Sequence, residues 1–383
     1  MSDPSSSDSD ILSTVSRLRA ALTRRLEFVS QKPETRLPSV TPSTGTRKKR
    51  PRPRPRPRPR SDKKYDEHRL LQAVSAALLN CVYLEWDLET YASTPPHRRA
   101  QKFPNPQLGH FSKPTTFADK NGVIVLWYLP NVLPHQLQND LLRSTHVLNS
   151  LLSESVQPNS SFVKKTGTLK TTSWRFSNRY CVPPSSSRSV ASGSVNFSAG
   201  WFAQGHSSKP YPLRPSRNLR TSLPARVWLS QLCTPEYFVN LILALTHPKL
   251  FDAAWEVLML LRRHPDTQHI ATMWHSVFTG IAVIANRVTP AHVDRSGRPD
   301  WYDLLLSIGT FSHATLNLPD LGASFSYAPG TVVNLCGNVL THEVMTWGKG
   351  DRICYAHFFR KAVFARLGME WIGGVNRSDF AGL

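Results

Sequence analysis

Residues 329–342 read Pro-Gly-Thr-Val-Val-Asn-Leu-Cys-Gly-Asn-Val-Leu-Thr-His, and the fold is predicted from this pattern and the residues around it. A β-branched run, a glycine turn and a second apolar run predict two short strands joined by a turn. The turn brings His342 back towards residues that come earlier in the chain. A site that uses His342 therefore needs partners on a neighbouring strand.

The segment His292-Val-Asp294 supplies such partners. On a strand, residues i and i+2 point to the same side, so His292 and Asp294 can act together. The pattern alone is weak, because a chain with 14 His is expected to contain on the order of one such triplet by chance. A second one, His264-Pro-Asp266, follows an apolar helical pattern, and no further ligand or arginine follows it in a suitable order. We interpret it as a helix end.

Arg352 completes the ordered set, because it opens the apolar run Arg-Ile-Cys-Tyr-Ala-His-Phe-Phe after His342. An iron that binds an oxo acid and O₂ needs open positions, so the protein supplies two His and one carboxylate on one face. A buried arginine can clamp the far carboxylate of 2-oxoglutarate with two parallel hydrogen bonds. The set predicts that His292, Asp294 and His342 hold Fe(II) and that Arg352 binds 2-oxoglutarate. The expected co-substrate is O₂.

Short β-rich runs surround this set and are punctuated by Gly and Pro, which indicates a sandwich or jelly roll. The predicted strands are 122–129, 275–286, 301–310, 314–318, 323–327, 331–336 and 352–361. The predicted helices are 67–91, 134–152 and a helical region over 234–264. Segment 158–222 is rich in Ser, Pro, Lys and Arg with interleaved aromatics, and we interpret it as loops that cover the site or as irregular packing.

The N-terminal 64 residues are predicted to be a disordered basic tail. Residues 11–29 have apolar residues near helical spacing, which indicates a short amphipathic helix that either binds a partner or is marginal. The run from Arg47 to Arg60 contains five Pro-Arg repeats, and its prolines exclude a helix. Alternating arginines suit phosphate contact or nuclear import, and a solvated linker is the alternative.

Composition points to an acidic polymer as partner, since the net charge is +21 and about half of the excess lies outside the tail. The five cysteines are odd in number and form no Cys-x-x-Cys pair, which argues against a disulfide framework and a structural zinc site. The N-terminus has no apolar signal-peptide core, and no apolar run reaches about 18 residues, so we expect no membrane association. We expect a nuclear protein.

The last quarter of the chain resembles the oxygenase domain of the TET/JBP proteins, especially the fungal members. Three phrases carry the resemblance: Asn286-Arg-Val-Thr-Pro-Ala-His-Val-Asp294, Tyr327-Ala-Pro-Gly-Thr-Val-Val333, and Trp347-Gly-Lys-Gly-Asp-Arg-Ile-Cys-Tyr-Ala-His-Phe358. The resemblance implies an α+β protein with a double-stranded β-helix (jelly-roll) core and flanking helices over residues 65–383, with the metal-binding core at about 275–365. The Cys-rich domain and CXXC module of animal members are missing, so targeting to chromatin by those routes is not expected.

The resemblance also implies oxidation of a methyl group on a DNA base, with double-stranded DNA carrying methylated bases as the partner. Such a base must be flipped out of the duplex. Candidate substrate-binding residues are Arg287, which lies where the family has a substrate-facing arginine, and Gly297, Asp303 and His357. Asp300 competes with Asp303 for its role, and Arg360 lies near the end of the Arg352 strand.

The main prediction is a monomeric DNA 5-methylcytosine dioxygenase that forms 5-hydroxymethylcytosine and further oxidation products. One alternative is a DNA N6-methyladenine demethylase of the same fold, or an enzyme with both activities, because hydroxylation of an N-methyl group releases formaldehyde. A second alternative is a non-catalytic basic DNA-binding protein, against which the complete ligand set argues. A protein or small-molecule hydroxylase would leave the basic charge outside the tail unexplained.

Overall fold

We describe the protein from a computed structural model, which covers residues 20, 60–163, 169–183, 185–202, 211–369 and 372–381. The predicted amphipathic helix at 11–29 and the Pro-Arg repeats up to Pro59 lie outside the described residues, apart from Ala20. The chain divides into two compact units, residues 1–72 with residue 383, and residues 73–382. The second unit contains every strand found in the described residues, and also the candidate site.

The described residues form eleven α-helices. In chain order these are α1 (Arg60–Leu79), α2 (Leu88–Ser93), α3 (Pro96–Lys102), α4 (His135–His146), α5 (Asn149–Glu154), α6 (Arg217–Thr221), α7 (Leu223–Ser230), α8 (Cys233–Thr246), α9 (Pro248–Arg263), α10 (Gln268–Ala271) and α11 (Lys361–Arg366). Three short 3₁₀ helices occur at Asn178–Tyr180, Pro319–Leu321 and Arg377–Phe380. Across the part of the chain that is described, no helix combines the length and the apolar character that crossing a membrane requires.

Fifteen strands lie in the same described residues. They are β1 (Cys81–Tyr83), β2 (Gly109–Phe111), β3 (Thr115–Ala118), β4 (Ile124–Leu129), β5 (Ser161–Val163), β6 (Leu169–Thr171), β7 (Gly193–Phe197), β8 (Gly280–Ala285), β9 (Thr289–His292), β10 (Asp303–Gly309), β11 (Thr315–Leu318), β12 (Ala323–Ser326), β13 (Val332–Leu335), β14 (His342–Val344) and β15 (Arg352–Phe358).

Eight strands form a large sheet in the order β1-β3-β4-β13-β10-β15-β8-β7, and five form a smaller sheet in the order β2-β12-β11-β14-β9. Central strands such as β4, β8 and β13 are buried at every position, which matches their continuous apolar sequences. In the smaller sheet β9 pairs antiparallel with β14, and His292 lies directly opposite His342. Strands β5 and β6 form a separate hairpin.

Strand β15 shows how the large sheet separates a cavity from a layer of helices. Arg352, Cys354, Ala356 and Phe358 line the cavity between the two sheets. Tyr355 points to the other side, where its hydroxyl lies 2.8 Å from the Thr145 hydroxyl of α4 and accepts from Trp228 Nε1 of α7 at 3.1 Å. The period-2 alternation of a strand therefore places polar chemistry on one face and helix packing on the other.

The α+β jelly-roll prediction is confirmed, with helices flanking the sheets. Each predicted strand contains an observed strand, because β-branched and apolar runs bounded by Gly and Pro are strong local signals. The helical region over 234–264 contains α8 and α9, which meet at His247 where Pro248 begins the second helix.

Three predicted elements were wrong in their extent. The helix at 67–91 is replaced by α1, β1 and α2, because Cys81-Val-Tyr83 pairs parallel with β3. The helix at 134–152 is interrupted between α4 and α5. Segment 158–222 contains β7 at the edge of the large sheet, and not loops alone.

Helix α1 begins at Arg60, directly after the last proline of the Pro-Arg repeats. The predicted tail boundary at residue 64 therefore falls inside a helix. The division into a disordered tail and an oxygenase domain over 65–383 otherwise stays a prediction.

Candidate metal centre and cavity

Strand pairing brings the three predicted iron ligands together. His292 is the last residue of β9 and His342 is the first residue of its partner β14. Asp294 lies just beyond β9, and its backbone N–H donates to the Gly337 carbonyl at 2.7 Å, in the turn that precedes β14. One ligand atom from each of the three residues lies within 4.8 Å of the others, and this is the only such group among the residues described.

Backbone carbonyls orient the two imidazoles. Nδ1 of His292 donates to the Pro290 carbonyl at 2.9 Å, and Nδ1 of His342 donates to the Leu340 carbonyl at 3.1 Å. Each bond assigns the proton to Nδ1 and leaves Nε2 as a lone-pair donor. The two Nε2 atoms lie 3.9 and 3.6 Å from Oδ2 of Asp294, so three ligand atoms converge on one point.

Burial and neighbouring charges set the protonation states that a divalent metal requires. Burial, and after it the adjacent His342, lower the pKa of His292 to about 4. For Asp294, burial raises the pKa, but the His342 hydrogen bond and the charge of Arg175 outweigh burial and leave the pKa below its ordinary value. A neutral imidazole and a charged carboxylate are the ligand forms of these side chains.

The ligands open into a cavity of about 370 Å³ between the two sheets. Residues of both sheets line it, together with the loops after β9 and β15. The lining side chains that carry polar or aromatic chemistry are Arg175, Asn196, Thr289, His292, Asp294, Arg295, Ser296, Asp303, Tyr327, His342, Glu343, Arg352, Phe358, Phe359 and Arg360. Four arginines in one cavity indicate a site for anions.

Arg352 lies in the floor of this cavity and is 2% exposed. Its Nη1 donates to the Arg287 carbonyl at 3.0 Å, while its Nε finds no hydrogen-bond partner among the described residues. Burial lowers the pKa of this guanidinium. A buried cationic donor without a partner is costly, and a carboxylate in the cavity would satisfy it. The residues present therefore fit 2-oxoglutarate.

Gly297 and Asp303 also line the cavity, whereas Asp300 does not. Burial raises the pKa of Asp303 well above its ordinary value, and the charge of Asp294 raises it further, so the protonated acid is favoured. The acid packs against Gly337, where an added Cβ would lie 2.1 Å from Asp303 Oδ2. Close approach of the turn to the acid therefore requires glycine.

Two predicted substrate residues lie away from the cavity. Arg287 is fully buried, and its Nη2 donates to the carbonyls of Trp174 at 2.5 Å and Ser177 at 2.6 Å. His357 is also fully buried and its Nε2 lies 2.9 Å from Glu236 Oε1 of α8. On strand β15 it alternates with the cavity-lining residues, so it faces the helices. Both placements correct the expectation that these side chains face the substrate.

One cavity residue, Arg175, was missed as a site residue, and Arg360 was considered only for its place near the end of the Arg352 strand. Arg175 binds Asp294, with Nη2 2.5 Å from Oδ1, across 119 positions of sequence. The Arg360 guanidinium lies over the Trp201 ring at 3.4 Å from its centroid, and burial lowers the Arg360 pKa to about 10. For Arg175 the only sequence signal was the mixture of basic and aromatic residues in segment 158–222, which did not single out this position.

A family model described as the oxygenase domain of the 2OGFeDO superfamily (Tet_JBP) matches residues 212–361. This span contains His292, Asp294, His342 and Arg352. Arg175 lies before it. The comparison with curated proteins gives no match.

Among solved structures, the chain is similar to NgTET1 in complex with 5mC DNA, with 15% identity, a TM-score of 0.46, and coverage of 83% of this chain and 97% of that one. It is also similar to an oxidoreductase of the 2OG-Fe(II) oxygenase family from Burkholderia pseudomallei, with 18% identity, a TM-score of 0.20, and coverage of 32% of this chain and 61% of that one. Both TM-scores lie below 0.5, and the family model covers less than half of the chain.

Proposed function

We propose that this chain, which carries a TET/JBP-type oxygenase domain and is a 2-oxoglutarate- and Fe(II)-dependent dioxygenase, oxidises the methyl group of 5-methylcytosine in DNA. The observation that carries the proposal is the cavity in which His292, Asp294 and His342 converge beside Arg352 and a buried acid, Asp303. The reaction converts the methyl group to hydroxymethyl and yields 5-hydroxymethylcytosine.

Three ligands on one side leave coordination positions open on the cavity side. When bound, Fe(II) with 2-oxoglutarate and O₂ supplies the oxidant that inserts oxygen into a C–H bond, with succinate and CO₂ as the other products. Arg352, whose Nε has no partner among the described residues, would hold the far carboxylate of 2-oxoglutarate, and Thr289 and Tyr327 line the same cavity. This arrangement positions the oxo acid and keeps bulk water from it.

The methyl group of a stacked base is out of reach of a buried cavity, so the base is flipped into it. Phe358 and the flat guanidinium of Arg360 on Trp201 offer planar surfaces against which a base can stack. Asp303, kept protonated by burial, offers one donor and one acceptor to the polar edge of the base. Gly297 lines the same cavity without a side chain that would fill the space.

The remaining cationic side chains suit the DNA backbone. Arg175 and Arg295 line the cavity in addition to Arg352 and Arg360, in a protein of net charge +21. Phosphates on either side of a flipped nucleotide require such partners. The excess of basic residues supports DNA over a neutral small molecule as substrate.

The proposal is tested by incubating the protein with duplexes that contain 5-methylcytosine or N6-methyladenine, together with Fe(II), 2-oxoglutarate and O₂. Mass spectrometry of the digested nucleosides and of succinate follows. We expect 5-hydroxymethylcytosine and one succinate for each base oxidised. A His292→Ala, Asp294→Ala variant and an unmethylated duplex serve as controls.

Loss of the N6-methyl group with formaldehyde release would assign the alternative substrate. Absence of product from both duplexes would overturn oxidation of DNA bases. DNA binding without succinate formation by the wild-type protein would instead indicate a binding protein.

We further propose that the protein acts as a monomer in the nucleus. The basic run at 47–50 and the Pro-Arg repeats support nuclear import, and DNA is the partner found there. A fluorescent fusion that loses nuclear accumulation when residues 47–60 are deleted is the expected result. A cytoplasmic wild-type fusion, or a dimer in light scattering, would contradict the respective part of the proposal.

A further inference from the structure

We propose that Arg175 is the outer partner that orients the iron carboxylate Asp294, so that residues before the matched oxygenase domain complete the metal centre. The inference rests on the assignment of His292, Asp294 and His342 as iron ligands. It does not depend on which base is oxidised.

Each of the three candidate ligands makes a hydrogen bond with the side-chain atom that points away from the other two ligands. His292 and His342 use Nδ1 to donate to the carbonyls of Pro290 and Leu340. Asp294 uses Oδ1 to accept from Arg175 Nη2 at 2.5 Å, which leaves Oδ2 facing the two imidazoles. Partners of this kind fix the orientation of ligands and tune their affinity for metal. Arg175 is the only one of the three partners supplied by a side chain.

The loop that carries Arg175 is held in place from two sides. Its Trp174 ring packs on His292 with centroids 4.8 Å apart, and the Arg175 guanidinium lies 4.6 Å from the centroid of the Trp174 ring. Arg287 binds the carbonyls of Trp174 and Ser177. The Arg287 carbonyl in turn accepts from Arg352 Nη1. A continuous set of contacts therefore joins the arginine for 2-oxoglutarate to the metal carboxylate.

This arrangement has a chemical consequence for coordination. A carboxylate can bind a metal through one oxygen or through both. With Oδ1 engaged by a charged guanidinium, Asp294 is directed to bind through Oδ2 alone. One position that a chelating carboxylate would occupy is thereby kept open for 2-oxoglutarate or O₂. Arg175 is a positioning residue, because it acts through Asp294.

The residues of this centre come from two segments of the sequence. The matched domain spans residues 212–361 and contains all three candidate ligands. Arg175 and Trp174 precede it, in the segment between hairpin β5–β6 and strand β7. A fragment limited to the matched residues contains the ligands but lacks the partner of Asp294.

The test uses the full chain and titrates Co(II) into metal-free protein, with binding followed by calorimetry and visible absorption. Arg175→Met, which removes the charge and the donors, is expected to weaken Co(II) binding by roughly 10- to 100-fold. Arg175→Lys keeps the charge and one donor direction, and we expect it to restore part of the affinity. Arg179→Met is the matched control, because Arg179 is exposed in the 3₁₀ helix that follows Arg175 and its substitution should leave the affinity unchanged.

Thermal unfolding of each variant separates a folding defect from a metal defect. A Met variant that binds Co(II) as tightly as wild type would overturn the proposal. Tighter binding would also overturn it, because it would mean that Arg175 competes with the metal for Asp294. His292→Ala must abolish Co(II) binding independently, so that failure of the ligand assignment is distinguished from failure of the role of Arg175.

Discussion

Two His-x-Asp segments occur in this protein, and only one belongs to a site. His292 and Asp294 lie at the end of a strand whose partner brings in His342. His264 is the C-cap of α9, its Nδ1 accepts from the Asp266 N–H at 3.3 Å, and Asp266 is exposed. In the described residues the second segment gains no third ligand. A metal centre of this kind therefore needs a neighbouring strand that supplies the third ligand, because the His-x-Asp tripeptide supplies only two.

The arginines near the two segments differ in the same way. Arg352 lines the cavity beside His342 and keeps a buried Nε without a partner among the described residues. Arg262, in the last turn of α9, donates to the carbonyls of Ala271 at 3.1 Å and Trp274 at 3.2 Å. The first arginine is available to a ligand, whereas the second holds the chain that follows the helix.

The largest difference between the segments should appear on removal of the histidine. His292→Ala deletes a metal ligand, and we expect turnover to fall by at least about 1,000-fold, a barrier increase of roughly 4 kcal/mol. His264→Ala is expected to leave turnover within about 2-fold, because the hydrogen bonds of His264 among the described residues stay within positions 260–268. Succinate formation and bound iron measure both variants. An equal loss of turnover in the two variants would contradict the assignment of His292, and not His264, as a metal ligand.

The N-terminal end of the same helix α9 provides a pH-dependent contrast. Burial lowers the pKa of His247 to about 4, so the folded protein favours the neutral ring. In the unfolded chain His247 has its ordinary pKa and therefore binds a proton at a higher pH than it does in the folded protein. The contribution to stability is therefore complete above about pH 6.5 and is lost as the pH falls towards 4, by up to about 3 kcal/mol.

Urea unfolding between pH 4 and 7 measures this dependence. In His247→Asn the side-chain oxygen can still accept from the Leu250 N–H, as His247 Nδ1 does, without a titrating group. We expect the variant to lose most of the slope over this range. An unchanged slope would show that other groups cause the loss of stability in acid.

The two arginines provide the next contrast. Arg352→Met should raise the KM for 2-oxoglutarate by roughly 10- to 100-fold, since hydrogen bonds to charged groups contribute about 1.5–3 kcal/mol. Arg262→Met should lower stability without a change in that KM. Steady-state kinetics with varied 2-oxoglutarate, together with thermal unfolding, distinguish the two. A similar rise in KM for both variants would contradict the assigned role of Arg352.

The smallest expected effect is the sharpest test of the comparison. Pro265→Val gives the second segment the sequence His-Val-Asp, identical to residues 292–294. In a His292→Ala background we expect no recovery of Co(II) binding, because the segment still lacks a partner strand with a third ligand. Calorimetry detects any new site. Recovery of binding would show that the tripeptide itself carries the affinity.

Local patterns predicted much of the fold because they were strong where the strands are buried. The apolar run of β4 and the β-branched residues of β13 are typical of buried strands and were predicted as such. The predicted helices at 67–91 and 134–152 were too long. Strand pairing at Cys81–Tyr83 and a turn at Val147–Leu148 interrupt them in spite of the local helical propensity. Strand β7 was missed because its sequence, Gly-Ser-Val-Asn-Phe, is short and weakly apolar, and it is ordered by pairing with β8.

The candidate iron ligands were identified from the linear pattern alone: His-x-Asp, a later histidine and an arginine ten residues after it. That set was visible because short antiparallel strands keep such residues close in sequence to the turns that join them. The odd spacing of Arg352 and His357 puts them on opposite faces of a strand, but which face meets the cavity depends on how the sheets and helices pack. The contact of Arg175 with Asp294 spans 119 positions, and local sequence does not encode it.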